Sequence, residues 1–301
     1  MKKMYHDPVL LKESVDGLNI SGDEVCVDVT FGGGGHSKEI LKRLNDNGKL
    51  FAFDQDRDAE ANALNDQRFQ LVQQNYRYLK NYLKFYRAIP VDGVLADLGV
   101  SSHQFDEGGR GFSIRFDGPL DMRMNQTADL TAEHVVNDYE EQDLIRIFRE
   151  YGEVKNAGKL VHEIMGRRGM GRITTTQELI EVIEVCVPEK LKNKYLAQVF
   201  QALRIEVNDE MAALKEMLEQ AYEVLKPGGR LSVITYHSLE DRLVKNFIRK
   251  GKFEGELEKD FYGNPQVKFK AINRKPILPT SEELNKNNRA RSAKLRVAEK
   301  L

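Results

Sequence analysis

Two carboxylates at the ends of apolar runs, with four glycines ahead of them, are the groups in this chain best spaced to do chemistry. Gly32, Gly33, Gly34 and Gly35 interrupt an apolar, β-branched stretch, Val25 to Val29, and Ser37-Lys38-Glu39-Ile40 then reads as a helix start. Glycines at a strand-to-helix turn allow positive φ and close approach of the backbone to a ligand. The helix N-terminus adds N–H groups without intrahelical partners. About 20 residues further on, the run Lys49 to Phe53 ends in Asp54, the position from which an acid accepts hydrogen bonds from the ribose of an adenosine cofactor. Asp54 is also suited to capping a following helix. A later run, Val91 to Ala96, ends in Asp97, at a strand's carboxyl end, where open α/β sheets bind their ligands.

The elements that must hold these residues follow from the pattern. Val25–Val29, Lys49–Phe53, Phe69–Val72 and Val91–Gly99 are short apolar runs separated by helix-length segments, which predicts βαβαβ and a parallel sheet. Nicotinamide and S-adenosylmethionine enzymes share that architecture. A helix over Glu210–Leu225, then Lys226-Pro227-Gly228-Gly229, then a strand from Arg230, looks like the fifth-strand entrance of class I methyltransferases and favours S-adenosylmethionine.

Between the fourth and fifth strands the period turns helical. Asp138-Tyr139-Glu140-Glu141 resembles a capping box opening a helix over Gln142–Tyr151. Further helices are expected over Asn156–Met165 and Gln177–Val187, the last behind the capping box Thr175-Thr176-Gln177-Glu178. The expected organisation is a methyltransferase domain, 1–105 and 201–301, carrying an all-helical insertion over 106–200. Beyond the fifth strand we expect a helix over Leu239–Lys250, an antiparallel strand pair at Val267–Ile272 and Ala293–Ala298, and a loop over Asn273–Ser292 between them.

Bulk composition narrows the class. The 301 residues carry a net charge of −1, so contacts with a polyanion must come from local patches. Cys26 and Cys186 sit in separate apolar runs and read as buried reduced thiols, with no disulfide or metal site expected. No run reads as a membrane span and the N-terminus lacks a signal-peptide core, so a cytoplasmic globular protein is expected.

Long stretches of the chain resemble the bacterial small-subunit (16S) ribosomal RNA cytosine-N4 methyltransferase family. They begin with His6–Glu13, Thr30-Phe31-Gly32-Gly33-Gly34-Gly35-His36-Ser37 and Asp97-Leu98-Gly99-Val100-Ser101-Ser102-His103-Gln104. They continue through Arg110–Ser113, Gly118–Met124, Phe200–Ile205, His237–Arg242 and Arg289–Arg296. The resemblance implies an α/β, class I S-adenosylmethionine-dependent methyltransferase fold (Rossmann-like, mostly parallel sheet) with a helical insertion. It also implies methyl transfer to a cytosine N4 in the decoding centre, with small-subunit ribosomal RNA or the assembling subunit as partner. It puts Gly34, Gly35 and His36 against the cofactor, Asp54 on the ribose, Tyr76 near the adenine, and Asp97 and Gln104 closing the pocket. The insertion leaves room for a homodimer.

Departures from the family pattern are few: Val154 where a second acid is usual, Asn288 where a Pro is common, and Thr235-Tyr236 where Ser-Phe usually precedes the His. The Asp-Pro-Pro-aromatic type of motif used by many amino-methyltransferases is absent, Asp97-Leu98-Gly99-Val100 standing in its place. That leaves the catalytic group open, with Asp97 and His237 as candidates and Ser101 and Ser102 as pocket-shaping residues. His237 is equally a candidate helix cap. RNA contacts are expected at Arg167–Arg172, on a glycine-flexed loop, and at Arg289, Arg291, Lys294 and Arg296. Alternatives are a nicotinamide oxidoreductase, a methyltransferase on another nucleic-acid or amine substrate, and a non-catalytic cofactor-sensing assembly factor.

Overall fold

Seven apolar runs become the strands of one sheet in the computed structural model, which describes residues 8–301. His6 and Asp7 of the first motif lie outside the described residues. The strands are β1 (Val25–Asp28), β2 (Lys49–Phe53), β3 (Phe69–Val72), β4 (Val91–Asp97), β5 (Leu225–Thr235), β6 (Phe269–Ala271) and β7 (Lys294–Lys300). Their order is β3-β2-β1-β4-β5-β7-β6. β1 to β5 are parallel, and β7 runs antiparallel to both of its neighbours. The sheet is thus Rossmann-like and mostly parallel, as expected.

The helices are α1 (Leu11–Gly17), α2 (Gly35–Arg43), α3 (Leu79–Phe85), α4 (Ser102–Asp106), α5 (Ala132–Asp138) and α6 (Glu141–Glu150). They continue with α7 (Ala157–Met170), α8 (Thr176–Glu184), α9 (Lys192–Asn208), α10 (Glu210–Val224), α11 (Ser238–Lys250) and α12 (Ser281–Lys286). No described helix is long and apolar enough to cross a membrane.

Continuous apolar runs are what a sheet covered on both faces requires. Successive residues of one strand serve opposite faces: Cys26 and Leu50 pack with Val15 of α1 and Ile40 of α2. Their neighbours Val27 and Phe51 pack with Leu83 of α3, Leu218 of α10 and Phe247 of α11. The order reverses between β1 and β4, because β1 leads outward to β2 while β4 leads the other way to β5. The carboxyl ends of those two strands therefore flank the crevice in which such sheets take their ligands.

The chain forms two compact units, residues 1–99 with 211–301, and residues 100–210. The second unit holds helices and no strand, with a long irregular segment over 111–131 that makes one isolated bridge, Pro119 to Thr175. Its core is built by Val135 and Val136 of α5, Phe148 of α6, Leu160 of α7, Ile183 of α8 and Leu203 of α9. Val154, at the position where the family usually has an acid, is buried in that core. Arg110–Ser113 and Gly118–Met124 meet there: a Cβ on Gly111, whose φ is +73°, would lie 2.4 Å from the Pro119 carbonyl oxygen.

Several local expectations need correcting. α6 starts at Glu141 behind Glu140, with no side-chain cap; Asp138 ends α5 instead and takes Arg172. α7 runs on to Met170, so Arg167 and Arg168 stand on a helix rather than a flexed loop. The segment 273–292 holds α12 and a 3-10 turn at Asn288–Ser292. Lys226–Gly229 is a bulge within β5: Leu225 pairs with Val91 and Arg230 with Gly93, and Gly228 takes φ +78° between them. Cys26 and Cys186 are free and buried, as expected, and burial pushes both thiols up.

Candidate active site

β1 delivers Asp28, wholly buried, to the head of the glycine turn. Its carboxylate accepts from the Ser37 hydroxyl at 2.7 Å and the Thr30 backbone N–H at 3.1 Å. The Thr30 hydroxyl oxygen in turn accepts from the Asp97 backbone N–H at 2.6 Å. The glycine turn is thereby wired to the end of β4. Gly34 sits at φ +74° as the N-cap of α2, which has no side-chain cap, so its first turn keeps N–H groups to offer. Gly35 has another reason to be glycine: a Cβ there would come within 2.1 Å of Pro8 Cγ.

β2 delivers Asp54. Its two oxygens accept from Gly32 N–H at 2.8 Å and Asp56 N–H at 2.9 Å. Each carboxylate oxygen has a second lone pair, so the group can still receive two hydroxyls. Burial pushes its pKa up to about 6 against the lowering effect of those two N–H donors. Asp54 does not cap the next helical turn; Asp56 does. Tyr76 is half-buried at the start of a 3-10 turn, packed on the sheet core, behind Asn75, whose side-chain amide donates to Gln55 Oε1 at 2.8 Å. The ends of β2 and β3 are joined by that bond.

β4 delivers Asp97, with Tyr236 hydrogen-bonded to one oxygen and His36 near the other. The Tyr236 hydroxyl, from just past β5, donates to Oδ1 at 2.8 Å. Oδ2 lies 3.8 Å from His36 Nδ1. The His36 ring is fixed from its other nitrogen, which lies 3.2 Å from the Val9 carbonyl oxygen. A carbonyl only accepts, so Nε2 carries the hydrogen and Nδ1 faces the carboxylate. Burial pushes Asp97 up to about 6, with His36 and the Tyr236 hydroxyl pulling the other way. Its side chain is still 22% exposed, open enough to meet a ligand. Burial and the neighbouring Asp97 carboxylate push the Tyr236 phenol well above its ordinary value, so it remains a donor.

β5 delivers His237, and the structure gives it a capping role. Its Nδ1 accepts from Glu240 N–H at 3.5 Å, and Glu240 Oε2 accepts from the backbone N–H of both His237 and Tyr236. This reciprocal box starts α11. His237 Nε2 is 3.1 Å from Glu240 Oε1 but forms no hydrogen bond.

Gly34, Gly35, His36, Asp54, Tyr76, Asp97 and His237 all belong to the sheet unit, at or beside strand carboxyl ends. Gln104 belongs to the helical unit. There it closes a capping box on α4, its side chain accepting from Ser101 N–H at 3.0 Å. Asp28, Thr30 and Tyr236 are functional candidates that the sequence pattern did not single out. Asp28 lies inside the apolar run Val25 to Val29, and only the structure shows that it ends the strand. Tyr236 stood out only as a departure from a pattern.

The two basic runs differ from expectation. Arg167 pairs with Glu178, and Arg172 with Glu133 and Asp138, while Arg168 donates to the carbonyls of Val136 and Tyr139. At the C-terminus, Lys294 and Arg296 both reach Asp241.

The residues present fit an adenosine-bearing sulfonium cofactor. The glycine cradle bars side chains, the acid after β2 has acceptor capacity to spare, and α2 presents its N–H groups without a side-chain cap. A sequence profile of the MraW methylase family matches residues 3–301. "Ribosomal RNA small subunit methyltransferase H" of Flavobacterium johnsoniae is 64% identical over 297 residues, covering 99% of this chain and 98% of that protein. The proteins of the same name from Christiangramia forsetii and Phocaeicola vulgatus are 59% identical over 297 residues and 57% over 299, each again covering 99% of this chain and 98% of the relative.

Proposed function

The chain belongs to the MraW methylase family, and from that premise we propose that it transfers a methyl group from S-adenosylmethionine to the N4 amine of a cytosine in small-subunit ribosomal RNA. The observation that carries this reading is similarity running the whole length of the chain to proteins named for that RNA. It disfavours the nicotinamide alternative, whose shared features are the glycine turn, the acid after β2 and the parallel sheet. The reaction is set in the cytoplasm, on free RNA or on the assembling subunit.

Roles follow from the chemistry of each group. Gly34, Gly35 and His36 line the cofactor's approach, Asp54 accepts from its ribose hydroxyls, and Tyr76 serves the adenine side. Bound there, S-adenosylmethionine supplies an electrophilic methyl on a positively charged sulfur. The cytosine amine is a weak nucleophile because its lone pair is delocalised into the ring. Asp97 is the acceptor for an amine N–H, which localises that pair and stabilises the positive charge that develops on attack. The Tyr236 hydroxyl holds the carboxylate in position, so little reorientation is needed at the moment of reaction. The target base must leave its stack to reach this depth.

The test is incubation with labelled S-adenosylmethionine and unmodified small ribosomal subunits, followed by digestion of the RNA. Labelled N4-methylcytidine is the expected product. Intact cofactor binding with no label in subunits or naked RNA would favour the assembly-factor reading or another substrate.

A further inference from the structure

Most arginines of the two basic runs are already paired with acids or with backbone carbonyls. A concavity of the sheet unit, beside Arg296 of the second run, carries cations that are not. Lys245 and Arg249 stand one turn apart on α11, and with Arg274 and Arg296 they line a concavity whose floor includes Ile248 and Val297. Among the described residues, no acid lines it. Arg296 is anchored through Nε to Asp241 at 2.7 Å, which fixes its guanidinium and offsets one positive charge. Lys245, Arg249 and Arg274 have no ion pair or hydrogen bond to any described residue.

The walls are anchored by hydrogen bonds. α11 is capped at its start by the His237–Glu240 box. Asn273, next to Arg274, is pinned to β7: its side chain accepts from Val297 N–H at 2.7 Å and donates to the Leu295 carbonyl at 3.2 Å. Three unpaired cations on such a frame repel one another, and an apolar floor strengthens that repulsion. Clustered in one concavity that no described acid lines, these cations make a local positive potential that an anion from outside relieves.

We propose that this concavity holds a backbone phosphate of the RNA being methylated. The inference rests on the RNA reading above and adds the surface that holds the strand. Lys245 and Arg249 lie about 10 and 17 Å along α11 from its first residue, at the helical rise per residue. That first turn follows Tyr236, which holds Asp97. The phosphate site is therefore a few nucleotides from the reacting base. Arginine forks and a lysine charge suit a phosphate's oxygens, and they position the strand without reading its sequence.

The experiment compares wild type with the triple variant Lys245→Gln/Arg249→Gln/Arg274→Gln, using unmodified small-subunit RNA as the binding probe at several salt concentrations. Methyl transfer is followed in parallel. The expected result is at least a tenfold weaker RNA affinity. The salt dependence should become shallower by about 0.7 to 0.9 in log–log slope for each phosphate that the variant no longer neutralises. S-Adenosylmethionine affinity and kcat at saturating RNA should hold. The charge-preserving set Lys245→Arg/Arg249→Lys/Arg274→Lys should restore most of the affinity, which separates charge from folding. Arg167→Gln/Arg172→Gln, which removes charges already paired, should alter the slope little. Unchanged affinity and slope in the triple variant would overturn the inference. A wild type that neither binds nor methylates RNA would instead overturn the RNA reading beneath it.

Discussion

At the scale of single residues, Asp97 is held in a form that costs the fold and serves the reaction. Burial keeps it up at about 6, above the ordinary 3.8. A carboxyl raised in the folded state binds its proton more tightly there than in the unfolded chain. Its stabilising contribution is complete below the unfolded value and is lost as pH rises through about 6. Asp97→Asn removes the charge and keeps an oxygen for the Tyr236 hydroxyl. Thermal unfolding should show this variant more stable than wild type at neutral pH, by on the order of 2 kcal/mol, with the gap closing toward pH 4. Methyl transfer should fall by about 100-fold or more. Tyr236→Phe tests the same carboxylate from outside. Losing the hydroxyl removes an influence that lowers Asp97, so the acid limb of kcat/KM should move to higher pH. Activity should drop several-fold near pH 6 and hardly at all well above it; an unmoved limb would deny Tyr236 any hold on Asp97. Asp54 and Asp97 were legible because each ends an apolar run at the spacing a cofactor sheet uses. The hydrogen bond from Tyr236 was not, since it joins residues that are distant in sequence, and only the pairing of β4 with β5 brings them together.

Elements were legible where one local signal dominated. β1 to β4 announce themselves as short apolar runs, and the Thr175–Glu178 box marks the start of α8 correctly. The end of α7 was misread because Gly166 and Gly169 look like breakers. Neither has a positive φ, and a Cβ at either would meet nothing within 4 Å. Their helical state is imposed by packing of the buried face, Leu160 and Ile164 among it, which overrides the propensity penalty. Gly166→Ala should therefore raise stability by about 0.5 to 1 kcal/mol in chemical denaturation, with no change in activity. The start of α11 carried two readings of His237, cap or catalyst. His237→Asn separates them, because asparagine caps as well and lacks an imidazole. As a cap, His237 should tolerate the change with stability within about 0.5 kcal/mol and methyl transfer within a few-fold. A collapse of turnover at unchanged stability would return His237 to the reaction.

For the whole molecule, the sequence pattern put the helical insertion at 106–200, whereas the compact helical unit spans 100–210. Its edges escaped the pattern because the chain leaves β4 through Gly99 and enters α4 at once, with Ser101 as cap, and because α9 continues to Asn208. Each unit has its own apolar core, Leu160 and Phe148 in one, Val27 and Phe247 in the other. Separate cores permit separate melting, in which case one unfolding free energy would not describe the chain. The residues assigned to the cofactor's glycine turn and ribose all lie in the sheet unit. A ligand stabilises only the cooperative unit that binds it, by about 2.7 kcal/mol at a concentration a hundred times its dissociation constant. Calorimetry should accordingly resolve two transitions, and S-adenosylmethionine should raise one by several degrees while the other holds. Asp54→Asn should abolish that shift and leave the unshifted transition where it was. If a single transition moved as a whole with cofactor, the two cores would be unfolding as one cooperative body, and the helical unit would share in the binding energy.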